Sequence, residues 1–590
     1  MLYRKIQNDA NINTVSLFLI NGAIVVVFIG ILCTVFAIDS SLPQKSITAK
    51  YFWFAASVCF ASLLLPFKLS KRNEIHIVDV LFCALALYVC CNYFFLNGNP
   101  NMQWWLTLLM LPLYFSIRSI SGNENIRRCL HVSILVVVLI QAIWGLLQLY
   151  GLVSSYHSAY KLTGSFFNPG PYSGFVVAGI PLALCYSFNK TLVRWERWLG
   201  IATLLAVLLV LPAAMSRAAW IAAAVGCMPV LFKYFGFSFS NLQHKLPIVV
   251  AVSLITVALV LGTYVIKKDS ADGRFLIWSA SMQSVRENTF FGAGYGRFAA
   301  VYGDAQAAYF EKTQRTAEQL MVADSPENAF NEYVKITVEL GIVGLALFIM
   351  LIGSCFFNFR SLTANHYALI AILVFAAFSY PFSVLPLSII FIFLLAFSAP
   401  MSKKLSFSLP IWLQIIGVVV CIGITSHSAY NVLPKRAAYK EWASIRALYR
   451  VNAHNYVLEK YTSLYPRLYF DKNFLFEYAQ SLYSAGQYAE SNLIFDKYLL
   501  YGSDPMVYNC IGNNFKEMGD YAKAENMYIR ASQIVPNRHY PLYLLMKLYA
   551  EIDEAEKAKA MAETLLNKPV KIQSTAIREM QMEAKRIISN

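Results

Sequence analysis

Over roughly the first 430 residues, apolar positions gather into runs of about 17 to 25 residues separated by short polar connections, the length a helix needs to cross the hydrocarbon core of a bilayer. Thirteen such runs are recognisable, near 15–39, 51–67, 77–96, 101–117, 130–152, 171–188, 198–215, 218–235, 246–266, 334–357, 366–382, 386–400 and 410–428. One connection breaks the pattern. From Lys267 to Asn331 the chain stays polar for about 65 residues, and a loop of that length is rarely a mere connector. Beyond residue 430 the composition becomes that of water-facing helices.

In that last third a motif returns every 33 residues: Ala485-Gly486-Gln487-Tyr488-Ala489-Glu490 recurs as Met518-Gly519-Asp520-Tyr521-Ala522-Lys523 and, degenerately, as Ile552-Asp553-Glu554-Ala555-Glu556. Glycine closes one helix, and tyrosine with alanine packs at the start of the next. Each unit is a helix-turn-helix that buries its apolar face only by stacking on its neighbours. The pattern resembles tetratricopeptide repeats over about 474–567, which implies an α-solenoid. Such a stack either stiffens the C-terminus or offers a concave surface to a partner, and the second reading is the stronger when it shares a side of the membrane with the long loop.

Composition agrees with the apolar pattern: 58% of the 590 residues are hydrophobic and 14% charged, too apolar for a water-soluble chain. The fold expected is all-α, a polytopic transmembrane helix bundle with a long outward-facing loop, followed by the solenoid, with a domain boundary near 430/431. Basic residues cluster in alternate connections, at Lys68, Lys71 and Arg72, at Arg118, Arg127 and Arg128, at Lys190, Arg194 and Arg197, at Lys233 and Lys245, at Arg360, and at Lys403 and Lys404. By the positive-inside rule these connections and the N-terminus, with Arg4 and Lys5, face the cytoplasm. The long loop and everything after residue 430 then face the outer side of the membrane.

The net charge of +16 does not point to nucleic acid, because much of it is this topogenic lysine and arginine. The first apolar run is longer than a signal-peptide core and lacks a small-residue cleavage site, so it reads as an uncleaved span. Of the 11 cysteines only Cys510 falls in a water-soluble segment, and neither a disulfide framework nor a Cys/His metal site is encoded. Asp79 is the one obvious ionisable residue inside a span, which weakens an ion-coupled transporter.

Candidate chemistry concentrates on the outer face. Arg217, in Met215-Ser216-Arg217-Ala218-Ala219-Trp220, sits in a tight hairpin where the positive-inside rule disfavours arginine, so an anion site is preferred to a snorkelling side chain. Arg274 opens an amphipathic stretch with Trp278 and Met282 spaced as on one helix face, and those two are expected to pack. Arg286 and Arg297 either add to a basic pocket or stand in solvent. Gly292-Ala293-Gly294-Tyr295-Gly296 forms either turns or a backbone nest for phosphate, and turns are the more common use. Lys161 and Asn168, in Lys161-Leu162-Thr163-Gly164-Ser165-Phe166-Phe167-Asn168-Pro169, lie in an outward loop that feeds a helix, with Asn168 a cap or a polar-substrate contact. Two arginines at a membrane surface suit a lipid diphosphate, since a guanidinium meets phosphate oxygens with two parallel hydrogen bonds and stays charged.

The set Thr163-Gly164-Ser165-Phe166-Phe167-Asn168-Pro169, Ser216-Arg217-Ala218-Ala219-Trp220, Gly273-Arg274-Phe275-Leu276-Ile277-Trp278, Phe291-Gly292-Ala293-Gly294-Tyr295-Gly296 and Asn331-Glu332-Tyr333 with Glu339-Leu340-Gly341-Ile342-Val343-Gly344 resembles the O-antigen ligase/polymerase superfamily, which includes protein O-oligosaccharyltransferases. The resemblance spans about 160–357. It implies transfer of a glycan from an undecaprenyl-diphosphate carrier to a hydroxyl of an acceptor lipid or protein at the periplasmic face of a bacterial inner membrane, with no metal or other cofactor, and it places Arg217 and Arg274 at the diphosphate. In that family a histidine before the asparagine of a His-Asn segment is proposed to activate the acceptor, whereas this chain has Phe330. Glu327, three residues earlier, would share the face of Phe330 if the following helix began early, and is the preferred substitute. The rival reading makes it a helix N-terminal carboxylate. Glu332, Glu339 and His157 are the other candidates for the base, with Asn331 beside them. A polymerase of repeat units and a non-enzymatic envelope assembly or export factor are the competing functions, and the repeats would take a periplasmic partner.

Overall fold

A computed structural model describes residues 21–65, 74–234, 268–312, 316–357, 362–399, 406–451 and 454–589. It is all-α apart from a short antiparallel pairing of Glu74–His76 with Ser406–Ser408, in the register Glu74↔Ser408. Among the described residues five helical stretches are long and apolar enough to cross a membrane: Ile77–Phe95, Glu124–Leu149, Pro169–Phe188, Glu332–Cys355 and Ile411–Arg450. The protein is a multi-pass membrane protein. Other expected spans form shorter helices, such as Lys45–Ser62, Arg194–Val210, Arg217–Tyr234, Ala364–Ala376 and Leu385–Ser398. The run at 101–117 is two helices, Met102–Leu108 and Met110–Ile120, and the run at 246–266 lies outside the described residues.

The chain divides into two compact units, one of Met1–Leu87, Gln103–Thr263 and Ala346–Arg436, the other of Tyr88–Met102, Tyr264–Leu345 and Ala437–Asn590. Residues from Ala437 onward fall in the same unit as the long loop.

In the first unit, the helix Pro169–Phe188 is buried along nearly its whole length, as expected of a span surrounded by other helices. Asn168 caps it, its side-chain oxygen accepting from Gly170 N–H at 2.9 Å, and Pro169 takes the first helical position where no N–H is needed. Small residues let helices close in: a Cβ on Gly226 would stand 2.6 Å from that of Ala371. Asp79 is held by Arg118 through two hydrogen bonds, Nε to Oδ1 at 2.8 Å and Nη2 to Oδ2 at 3.1 Å. Tyr114 O–H and His76 N–H also donate to this carboxylate. A carboxylate so satisfied is accounted for as a structural group. Lys50, 3% exposed, donates from Nζ to the carbonyls of Ser46 at 2.5 Å, Ser165 at 2.9 Å and Ala37 at 3.3 Å. Gln148 Oε1 receives the N–H groups of Thr163 and Gly164, and Gln141 Oε1 that of Ser165, so buried side chains hold the Thr163–Ser165 loop in place.

In the second unit, the long loop folds into helices Lys268–Glu287, Phe298–Lys312 and Ala317–Val322 before Glu332–Cys355 begins. The C-terminal part continues with His454–Leu468 and then three hairpins: Lys472–Ser484 with Tyr488–Leu499, Pro505–Glu517 with Tyr521–Ile534, and Tyr540–Glu551 with Ala555–Asn567. Each hairpin turns through a left-handed residue at the equivalent position, Gly486, Gly519 and Asp553, with φ of 75°, 78° and 58°. Glycine adopts this conformation freely and aspartate tolerates it, so the degenerate third motif keeps the turn. Asp520 adds a cap by accepting from Lys523 N–H at 3.2 Å. Stacking buries a row including Ala524, Tyr528, Leu545, Met546, Leu548 and Ala558.

The loop and these hairpins pack on each other within this unit. Ser503 donates from N–H and Oγ to the Ala299 carbonyl at 3.1 and 2.9 Å, and its Oγ accepts from Gly303 N–H at 2.9 Å. Gln306, fully buried, donates to the carbonyls of Ile534 at 2.6 Å and Asp324 at 3.1 Å. Tyr302 O–H donates to Gln306 Oε1, and burial pushes that phenol's pKa upward, so it remains a donor. Arg530 pairs with Asp304, Arg538 with Asp324 at 3.1 Å, and Lys472 with Glu327 at 2.6 Å.

Candidate functional site

Arg217 is the first residue of Arg217–Tyr234, half-buried, after Met215 at φ 47°. A cation at a helix N-terminus is opposed by the helix dipole. Trp220 anchors the turn by donating to the Leu211 carbonyl at 3.1 Å. Lys161 is exposed in the same unit, and Asn168 is occupied as the cap already described. His157 accepts from Ala159 N–H through Nδ1 at 3.0 Å.

Arg274 lies in the second unit, in the second turn of Lys268–Glu287, and is half-buried. Its guanidinium carbon stands 5.3 Å from the centre of the Phe330 ring, a cation–π contact. One turn on, Trp278 donates from Nε1 to the Ala329 carbonyl at 2.9 Å and meets Phe275 edge to face. Two side chains at i, i+4 of one helix therefore grip two successive residues, Ala329 and Phe330. Of the two residues expected to pack, Trp278 makes these contacts, whereas Met282 is exposed. Phe330 has φ 52°, the left-handed region that a bulky residue rarely enters.

This conformation corrects the expectation for Glu327. The helix does not begin early, because Phe330 is left-handed and Asn331 caps a helix starting at Glu332, accepting from Tyr333 N–H at 3.0 Å and Val334 N–H at 3.2 Å. Glu327 does not share a helix face with Phe330. It is exposed and paired with Lys472 of the C-terminal helices. Glu332 is 3% exposed in the first turn.

Glu339 is committed elsewhere. Its carboxylate accepts from Phe298 N–H at 3.2 Å and from Gly296 N–H, which caps Phe298–Lys312. The segment 292–296 is a set of turns and no phosphate nest: Gly292, Ala293 and Gly294 donate to the carbonyls of Asn288, Val338 and Glu339, and Tyr295 N–H donates to Asn92 Oδ1. With those N–H groups consumed, none is aimed at an anion. Asn92 Nδ2 also holds the Phe291 carbonyl at 2.7 Å, and Tyr88 O–H donates to the Leu340 carbonyl at 2.7 Å. Gly341, at φ 67° and ψ −172°, breaks the helix where these strands of chain meet, a conformation open essentially only to glycine. Arg286 is exposed in the last helical turn, where its charge favours the dipole, and Arg297 is half-buried just before Phe298.

Sequence reasoning treated position 330 as a missing base and missed its role as the partner of Arg274. An aromatic residue and an arginine more than fifty positions apart carry no such signal until the chain is folded. It also missed Asn92, Lys472 and Asn537, polar residues on distant segments whose targets are loop atoms. A groove of about 840 Å³ on the first helices of the C-terminal part, lined by Tyr465, Tyr478, Glu490 and Lys497 among others, is an open surface of mixed character. Among the described residues no three His, Cys, Asp or Glu side chains come together as a set that could hold a metal ion.

A model of the O-antigen ligase family matches residues 201–349, a segment that encloses Arg217, Arg274, Phe330 and Glu332. No curated protein matches the chain. The family likeness supports a part in glycan transfer at a membrane.

Proposed function

We propose that the protein transfers an oligo- or polysaccharide from undecaprenyl diphosphate to an acceptor hydroxyl, at the periplasmic face of a bacterial inner membrane. The observation that supports this most is the family match, together with the way Arg274 is held inside the matched segment by Phe330, Trp278 and their partners. In this reading the acceptor oxygen attacks the anomeric carbon as the bond from that carbon to the diphosphate oxygen breaks. Arg217 and Arg274 each present a guanidinium to the diphosphate, whose leaving oxygen gains charge, and no metal is required. We place the proton acceptor at Glu332, which opens the helix directly after Phe330 and lies within the matched segment. The hairpins are read as tetratricopeptide-like on the strength of their shared left-handed turn, and their groove is assigned to an acceptor or protein partner.

The test is transfer from purified lipid-linked glycan with and without a chelator. Arg217→Lys and Arg274→Lys keep one charge and lose the planar fork, and each is expected to lower turnover about a hundredfold, the scale of a lost transition-state contact. Near-normal turnover in both refutes the assignment, and loss of wild-type activity with the chelator refutes its metal independence. Glycolipid, glycoprotein and polymer-length analysis of a deletion strain separates a lipid acceptor, a protein acceptor and a growing glycan.

A further inference from the structure

Asn537 reaches from the turn after Tyr521–Ile534 to the end of Ala317–Val322, where its Nδ2 lies 3.0, 3.1 and 2.8 Å from the carbonyl oxygens of Leu320, Met321 and Ala323. The last carbonyls of a helix have no partner within it, and this short helix has its end closed by an amide donor from a distant part of the chain. The closed end touches the helix of Arg274. Ala323 is buried with Leu276 and Phe310, and a Cβ on Gly273 would lie 3.9 Å from Val322. Gly273 and Leu276 flank Arg274 on the same helix.

We propose that Asn537 is a positioning residue for Arg274: by holding the carbonyls of 320–323 it sets the surface against which the Arg274 turn rests, so the C-terminal hairpins are part of the transfer machinery. The proposal rests on the reading of Arg274 as a diphosphate contact. Gln306 works in the same sense from the loop, tying Asp324 to Ile534. A C-terminal part serving only to recruit a partner would need no amide aimed at the loop's backbone.

The order of substitutions carries the test, made in the full-length protein. Asn537→Gln keeps the donors, Asn537→Ala removes them, and Asn537→Asp sets acceptor oxygens against three carbonyl oxygens. Turnover is expected to fall in that order, with Asn537→Asp about tenfold or more below wild type and KM for the carrier lipid nearly unchanged. Hydrogen exchange at amides 317–323 should quicken in Asn537→Asp while amides 474–500 stay protected. Turnover of Asn537→Asp within twofold of wild type overturns the proposal. So does lost turnover with unchanged exchange at 317–323, or equal acceleration in both segments, which would make the effect one of general stability. If Arg274→Lys retains full turnover, the reading of Arg274 as a diphosphate contact fails, while exchange at 317–323 still decides whether Asn537 holds the loop.

Discussion

The guanidinium of Arg274 faces the ring of Phe330 at 5.3 Å, and Phe330 reaches that place only by adopting a left-handed backbone that phenylalanine seldom tolerates. The position read from sequence as lacking a histidine carries a ring that lies against an arginine. Strain of this kind persists where the surroundings over-determine it, here Trp278 on Ala329 and Asn331 capping the next helix.

Phe330→Asn should separate backbone from ring. Asparagine accepts φ near 50°, so the melting temperature of the purified protein should hold or rise. Loss of the cation–π contact, about 0.5 to 2 kcal/mol, should slow transfer by roughly twofold to thirtyfold. Phe330→Tyr should remain near wild type, and an unimpaired Asn variant would remove the ring from the account.

Glu327→Gln and Glu332→Gln should part company. Glu327 is a surface partner of Lys472, a type of pair that contributes about 0 to 1 kcal/mol, so its amide variant should turn over at close to the normal rate. Glu332→Gln should lose about a hundredfold or more if it takes the acceptor proton. The reverse pattern would return the base to Glu327.

Contacts of Gly303 and Ala299 with Ser503 require the long loop and the C-terminal hairpins to lie on one side of the membrane. A reporter inserted near Ala305 and one fused after Asn590 should therefore agree, and both should report the periplasm. Agreement on the cytoplasmic side would reverse the charge-based orientation.

Lys568 ends the Ala555–Asn567 helix, and burial lowers its pKa to about 8. For a base with a depressed folded-state pKa, the unfolded chain binds more protons between that value and the ordinary lysine range. Stability should therefore rise with pH from about 8 toward 10.5, and the penalty is fully present below 8. Lys568→Met should raise the melting temperature at pH 7, with the gain shrinking above pH 8. A gain that is independent of pH would mean that packing, and not charge, is responsible.

Much of the helix plan was legible in the sequence. Apolar run length and the Gly486/Gly519 period are local properties, and a helix or a left-handed turn is decided by a few neighbouring residues. Asn168 as a cap and Trp278 as a packing residue followed from similar short-range rules. Glu327 did not, because its proposed role assumed a helix start that Phe330 and Asn331 move to Glu332. Asp79 looked like a lone membrane acid until Arg118 and Tyr114, more than thirty residues away, came to its side.

By itself, then, the sequence determined where most apolar helices form, where the left-handed turns of the C-terminal hairpins fall and which segment holds the arginines, since hydrophobic length and turn chemistry act over one or two helical turns. Only the tertiary structure decided what those groups touch. Arg274 gained a ring, Glu339 a helix to cap, and the Ala317–Val322 helix an amide from Asn537, because each partner lies on a segment brought near by packing alone. A hydrogen bond needs its partner within about 3 Å, and no local pattern in the chain encodes that proximity.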